Sequence, residues 1–389
     1  MWSVGGIVTV DEVEPAAASA ETVEKLAMLV RRRGLDGVVL LSPQGFTYAT
    51  GLRIVSHPLM RWRHAAALIG PDRLAGVLAI DMERSFVADA LPTVPLRVWR
   101  EFVEEPMDAL ASLLEECWGS ELLTIGIETD FIPAARLDRL RARMPHVTWV
   151  SIDHDFDNVR SSKTAAELDT LRELSLAADA ALRVGLEGAK VGHSEAELGE
   201  RIVSALYAGG VTEHRFLIAA TGTGSQYPNA GPTSRTVAYG DVVRVEIFGG
   251  RNGYQAGVAR TAVVGAPTDE VSWHWNLVSR ARQAGLELLR PGADPRAIYR
   301  AYVDALGPLG RHAIAFFGHG MGLDMHELPY ISATSSDVIE AGAIIGIEPF
   351  AMIPGRFGFQ VKDVVAVTTD GYEVISDLLD GGELFVIDA

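Results

Sequence analysis

The chain has 389 residues, 48% of them hydrophobic and 22% charged, with 51 acidic against 34 basic side chains and a formal charge of −17. Size and composition predict a globular protein of two medium domains, and the acidic excess argues against nucleic acid or an anionic membrane as partner. A single cysteine, Cys117, excludes an internal disulfide. It points to a reducing compartment. Residues 1–6 lack a basic, apolar leader and no apolar run reaches membrane-spanning length, so the expected location is the cytoplasm.

Residues 1–20 read as a loose lead-in. Apolar spacing predicts a helix over 21–33, stopped by Gly34. After the turn signal Asp36-Gly37, Val38-Val39-Leu40-Leu41 reads as a buried strand. Strands over 65–69 and 75–80 flank a turn at Gly70-Pro71-Asp72. A helix over 106–118, a strand over 123–127, a helix over 132–144 begun near Pro133 and a strand over 147–152 follow. They complete an α/β domain, 1–154, whose alternation predicts parallel pairing. A second domain, 155–389, opens with one long helix over 162–187, with Ser162 or Thr164 as N-cap and Glu167 in its first turns. A helix over 194–208 follows, then strands over 216–220, 241–248 and 257–264, helices over 273–289 and 295–306, and a remainder mostly of strand. Runs of helix and of strand give an α+β class. No repeat of solenoid period is visible.

The chemistry-bearing segments lie in the second half: Gly318-His319-Gly320, Asp324-Met325-His326-Glu327, Ile347-Glu348-Pro349 and Val361-Lys362-Asp363. A histidine between two glycines is seldom a core residue, and Glu246 and Glu348 are acids inside apolar strands. His326 also suits a structural hydrogen-bond network. Thr221-Gly222-Thr223-Gly224-Ser225 lacks a phosphate-loop lysine and opens no helix after a strand, which argues against a nucleotide. His214 and His312 read as capping or surface residues, and Arg260 as a brace for a neighbouring carboxylate.

These segments, with Val159-Arg160-Ser161-Ser162-Lys163, Gly240-Asp241-Val242-Val243-Arg244-Val245-Glu246, Gly253-Tyr254 and Ala259-Arg260-Thr261, resemble the pita-bread family of creatinases, prolidases and methionine aminopeptidases. Phe46-Thr47-Tyr48-Ala49-Thr50-Gly51 resembles the creatinase-type N-terminal domain. The resemblance implies a C-terminal pita-bread domain behind a smaller α/β domain. It also implies two metals held by Asp, Asp, His, Glu and Glu, positions that fall here on Glu246, Gly257, His319, Glu348 and Lys362. An auxiliary histidine falls on Asn229. Glycine offers no ligand and lysine a positive charge, so no metal and no cofactor are expected. An ammonium about 4 Å from a carboxylate gains about 4 kcal/mol at an effective dielectric of about 20, before desolvation. Lys362 is therefore expected to replace the metals and keep Glu246 and Glu348 ionised. The plainer alternative is a surface lysine on an edge strand beside a decayed site.

Similarity to creatinase and ectoine hydrolase implies a metal-independent hydrolase of a C–N bond in a small amidine, guanidino or amide compound, acting as a homodimer. Glu246 is then the expected nucleophile, His319 or His326 the acid/base, and Glu348 the partner of a cationic substrate. Arg61, Trp62 and Arg63 are expected to grip a substrate carboxylate, or else form a solvated rim. Asn229 and Tyr330 complete the substrate-binding set. Two alternatives stay open: an inactive binding or scaffold protein, and a repurposed lyase or cyclising enzyme.

Overall fold

The computed structural model describes residues 20–57, 59–60 and 62–388; apart from Ala20, the expected lead-in lies outside them. The chain forms two compact units that divide between Val159 and Arg160. In the first, strands β1 (Gly37–Leu40), β2 (Ala66–Ile69), β3 (Leu74–Ile80), β4 (Leu96–Trp99), β5 (Leu123–Ile127) and β6 (Val147–Ser151) make one sheet in the order β4-β3-β2-β1-β5-β6. The helices are α1 (Ala20–Arg33), α2 (Pro43–Thr50), α3 (Arg84–Ala90), α4 (Pro106–Trp118), α5 (Ala134–Arg143) and α6 (Asp153–Ser161). Pairing is parallel for β1–β5, β5–β6 and β3–β4, but β2 runs antiparallel to both neighbours. The expectation of parallel pairing is corrected there. Residues 70–73 alone join β2 to β3, and a parallel partner needs a crossover of about a dozen residues or more.

The second unit opens with α7 (Ala165–Glu187) and α8 (Glu195–Ala208), then β7 (Glu213–Thr221), β8 (Val242–Arg251) and β9 (Tyr254–Val264). Helices α9 (Asp269–Leu286) and α10 (Pro295–Leu306) precede β10 (Phe316–Gly320), β11 (Glu327–Ser332), β12 (Ile344–Ile347) and β13 (Phe350–Ile353). The chain ends with β14 (Phe357–Gln360), β15 (Asp363–Val367), β16 (Tyr372–Val374) and β17 (Phe385–Ile387). One sheet is ordered β17-β9-β8-β7, a second β11-β10-β12-β15-β16, and β13-β14 is a hairpin. The single helix expected over 162–187 is two. Thr164 and Glu167 form a reciprocal capping box, which satisfies first-turn N–H groups and starts α7 afresh after α6 ends at Ser161.

Strand β8 positions the site. Successive side chains on a strand point to opposite faces. Val243, Val245 and Ile247 enter a core with Leu171 and Leu182 of α7 and Leu198 and Ile202 of α8. Burying each such side chain contributes about 1.5–3 kcal/mol, so the register is firmly held. The opposite face then presents Arg244, Glu246 and Phe248 to a cavity. Among the described residues, no helix is long and apolar enough to cross a membrane.

Candidate active site

Lys362, just past β14, exchanges both backbone hydrogen bonds with Ala259 of β9, at 3.2 and 3.0 Å. Ala259 in turn lies opposite Glu246 in the β8–β9 ladder. This ladder brings the ammonium to the carboxylate: Lys362 Nζ donates to Glu246 Oε1 at 2.5 Å and lies 3.2 Å from Glu348 Oε1. Glu348 follows β12 and is held by its N–H donating to Phe317 O at 2.7 Å. A further side of the ammonium faces the Phe248 ring, 4.6 Å from its centroid, an attractive geometry for a cation. Gln360 ties the carboxylates together. Its Nε2 donates to Glu246 Oε2 at 2.9 Å and to Glu348 Oε1 at 2.5 Å, while its Oε1 accepts from Arg244. Arg244 also donates to Ser225 O at 3.0 Å and to Tyr227 O. Glu246, Glu348 and Lys362 are all buried, a placement tolerated because each is paired and hydrogen-bonded.

Burial works to raise the Glu348 carboxyl, but Lys362 and His319 outweigh it and bring it to about 2. Burial likewise opposes the charge on Lys362, yet Glu246 and Glu348 hold its ammonium above the ordinary lysine value. Arg244 is lowered by burial to about 10, against the pull of the same two carboxylates, and stays charged at neutral pH.

His319 lies between two glycines because neighbouring backbones press on both. A Cβ at Gly318 would meet Gly346 O at 2.8 Å, and one at Gly320 would strike Leu328 O. The imidazole is fully buried. Its Nδ1 lies 2.9 Å from Gly320 O, which makes Nδ1 the donor. Nε2 is then left 3.5 Å from Glu348 Oε2 and without a hydrogen-bond partner. The ring stacks on His326, with centroids 3.6 Å apart and planes 8° from parallel. Burial first, then the repulsion of His319 and Lys362, pushes His326 down to about 4. At neutral pH it fronts the cavity as an uncharged imidazole.

The cavity measures about 530 Å³, and all its lining residues belong to the second unit. Its polar wall holds Asn229, Arg244, Glu246, His326, Glu348, Gln360 and Lys362, and aromatic and methionine side chains such as Phe216, Phe316 and Met352 make the rest. Two carboxylates face two cations, with His326 neutral, so the lining carries no net formal charge. The expectation that Glu348 partners a cationic amidine or guanidino substrate is corrected by this balance.

Of the residues singled out from sequence, Asn229, Glu246, His326, Glu348 and Lys362 line this one cavity. Lys362 is 2% exposed, which removes the reading of a surface lysine. His319 stands behind His326, and Tyr330 on β11 has its ring centroid 6.1 Å from that of His326; neither is in the lining. Trp62 and Arg63 belong to the first unit, where both bind Glu101: Trp62 Nε1 at 3.0 Å, Arg63 Nε and Nη2 at 2.9 Å each. Arg61 lies outside the described residues. Arg260 braces Asp179 and Asp363, each at 3.1 Å. Sequence reasoning misses Arg244, Phe248 and Gln360. The available signal is the two-residue period on either side of Glu246, with Gln360 two positions before Lys362.

The description "Metallopeptidase family M24" matches residues 169–369, and "Creatinase/Prolidase N-terminal domain" matches residues 23–162. A Mycobacterium tuberculosis protein named "Probable dipeptidase PepE" is 30% identical over 347 residues, covering 87% of this chain and 89% of that protein. A Lactobacillus helveticus "Xaa-Pro dipeptidase" is 28% identical over 279 residues, 70% of this chain and 75% of the other. The crystal structure of dipeptidase PepE from Mycobacterium ulcerans superposes with a TM-score of 0.82 at 27% identity, covering 97% of this chain and 99% of that one. These relatives overturn the expected metal-independent hydrolase of amidine or guanidino compounds, and with it the inactive and lyase alternatives, because they are named as dipeptidases. The matched family description spans more than half of the 389 residues, and this chain belongs to the M24 family of hydrolases, its pita-bread domain preceded by a creatinase-type N-terminal domain.

Proposed function

We propose that this chain hydrolyses the peptide bond of a short peptide of no net charge bearing apolar side chains. The observation that carries this reading is its 30% identity, over 87% of its length, to a protein named for dipeptidase activity. The cavity supports it. Its volume of about 530 Å³ falls within the roughly 300–1,000 Å³ of small-ligand sites, its walls are largely apolar, and its charges cancel. Hydrolysis joins a water oxygen to the carbonyl carbon, builds negative charge on the carbonyl oxygen and delivers a proton to the leaving nitrogen. Lys362, fixed between two carboxylates, offsets their charge at the wall where that oxyanion develops. His326, an uncharged imidazole on the cavity wall, takes the proton from water and returns it to the amine.

The family description implies metal, and three features bear against a divalent pair at this place. The Lys362 ammonium lies against both carboxylates. Gly257 offers no donor, and the Phe248 ring fills the space its side chain would take. Among the described residues, no three His, Cys, Asp or Glu side chains converge as a metal-holding group. The residues present do not fit two divalent cations.

Amino-acid release from Leu-Leu, Phe-Ala, Leu-Pro, Lys-Lys and Asp-Asp tests the reading. The apolar dipeptides should be cleaved with kcat/KM at least about tenfold above the charged ones, which would bury an unpaired charge. Failure to cleave any of them overturns it.

A further inference from the structure

Two buried carboxylates cannot both stay ionised side by side without a cation between them. We propose that Lys362 is the resident cation of this site, and that its ammonium excludes divalent metal from the space at Glu246 and Glu348. Two independent observations join the ion-pair geometry. First, His319 Nε2 is buried without a hydrogen-bond partner, 3.5 Å from Glu348 Oε2. This buried, unpartnered nitrogen lies beside the carboxylates, on the ground that the ammonium closes off. Second, the surroundings are matched to the ammonium. Phe248 lies 4.6 Å beneath it, and Gly257, opposite Phe248 in the β8–β9 ladder, leaves the room that this ring uses. A site that had merely lost ligands would show a hole there. The proposal is independent of which bond the enzyme breaks.

Equilibrium dialysis of the full chain against Mn²⁺ and, separately, Zn²⁺, read by elemental analysis, tests it without any assay of turnover. The wild-type chain should retain no stoichiometric metal; one or two equivalents per chain overturn the proposal. Lys362→Ala removes the ammonium and leaves Glu246, Glu348 and His319 Nε2 facing a vacated space. Its affinity for Mn²⁺ or Zn²⁺ should rise at least about tenfold, as removal of a nearby like charge requires. Lys362→Arg keeps the charge and should bind no more than wild type. A Lys362→Ala chain that is folded by circular dichroism but gains no metal also overturns the proposal. If that variant does not fold, the wild-type and Lys362→Arg dialyses decide.

Discussion

Two buried ionic clusters in the second unit are made of the same parts and differ in what they face. In one, Glu327 accepts from Lys163 Nζ at 3.0 Å, from Arg160 Nη1 at 2.9 Å and from Asp324 N at 2.9 Å. Lys163 donates again to Arg160 O at 2.6 Å. None of these residues lines the cavity. In the other, Lys362 with Glu246 and Glu348 opens on about 530 Å³ of space. The sealed cluster fastens the start of α7 to β11, segments far apart in sequence. The open one holds a charge that can still act on something entering from outside. Burial does not separate the two; access does.

Substitutions that remove one charge from each cluster should therefore have opposite effects. Glu327→Gln leaves the buried Lys163 ammonium without a carboxylate and Arg160 with Asp324 in place of two acids, so unfolding free energy should fall by about 3–5 kcal/mol in a urea titration. The kcat per folded molecule should not change. Lys362→Met should lower kcat by roughly 10²–10³-fold, the loss typical for one preorganised electrostatic group. It should destabilise less than Glu327→Gln does, because cavity water can reach the freed carboxylates. Equal stability losses, or an unchanged kcat in Lys362→Met, would erase the distinction.

The sealed cluster is hardly legible in sequence, and the open one only in part. Helices are clearest where apolar period and boundary signals coincide: 106–118 and 295–306 each open on a first-turn proline, and both match the structure. Shorter elements escape. In α2, Ser42 caps the helix, Pro43 opens it and Gly51, at φ 72°, stops it, so turn residues dominate a helix of eight residues. Acids inside apolar strands single out Glu246 and Glu348, but a phenylalanine and a glutamine in strands carry no mark that tells cavity from core. Phe248 and Gln360 acquire their meaning only when β8, β9 and β14 are laid together. The substrate expectation fails for the same reason: Lys362 is legible beside the carboxylates, whereas Arg244, the second cation that completes their cancellation, joins the wall only in the assembled fold.

Acid sharpens the comparison further. Stability lost between pH 7 and 5 should come from buried imidazoles that are held neutral. The first unit has two, His57 and His64, 4% and 3% exposed. Burial, then repulsion by His64, lowers His57 to about 4 despite an opposing backbone contact at Leu41. Burial, then Arg136, lowers His64 to about 4, with Glu105 opposing. Their unfolded value is 6.5, so the unfolded chain binds more protons between those limits. The stability they contribute is complete above 6.5 and is lost as pH falls through that window toward 4. The expected loss from pH 7 to 5 is roughly 2 kcal/mol per histidine. Glu348, depressed to about 2 from 4.5, loses its contribution only at lower pH. His326 of the second unit is also held down to about 4, so urea titrations at both pH values should show both units weakening, the first, with two such imidazoles, more than the second. A His57→Phe chain should show a shallower pH slope; an unchanged slope would remove His57 from the account.

The finest contrast uses a single methyl group on each cluster. At Gly257 a Cβ would fall on the Phe248 ring, and that ring is fully buried, with Phe216 edge-on at 6.4 Å and Lys362 over its face. Gly257→Ala should cost about 1–3 kcal/mol by overpacking. It should also reduce kcat, because a displaced ring moves the ammonium above it. At Gly322 a Cβ would meet Glu327 Oε2 at 2.8 Å and Lys163 Cε at 3.0 Å, so Gly322→Ala presses on the sealed cluster to a similar degree. Its stability loss should be comparable in urea, with kcat unchanged. A fall in kcat as large as that of Gly257→Ala would mean that the sealed cluster also positions the cavity, and that the two are one mechanical unit.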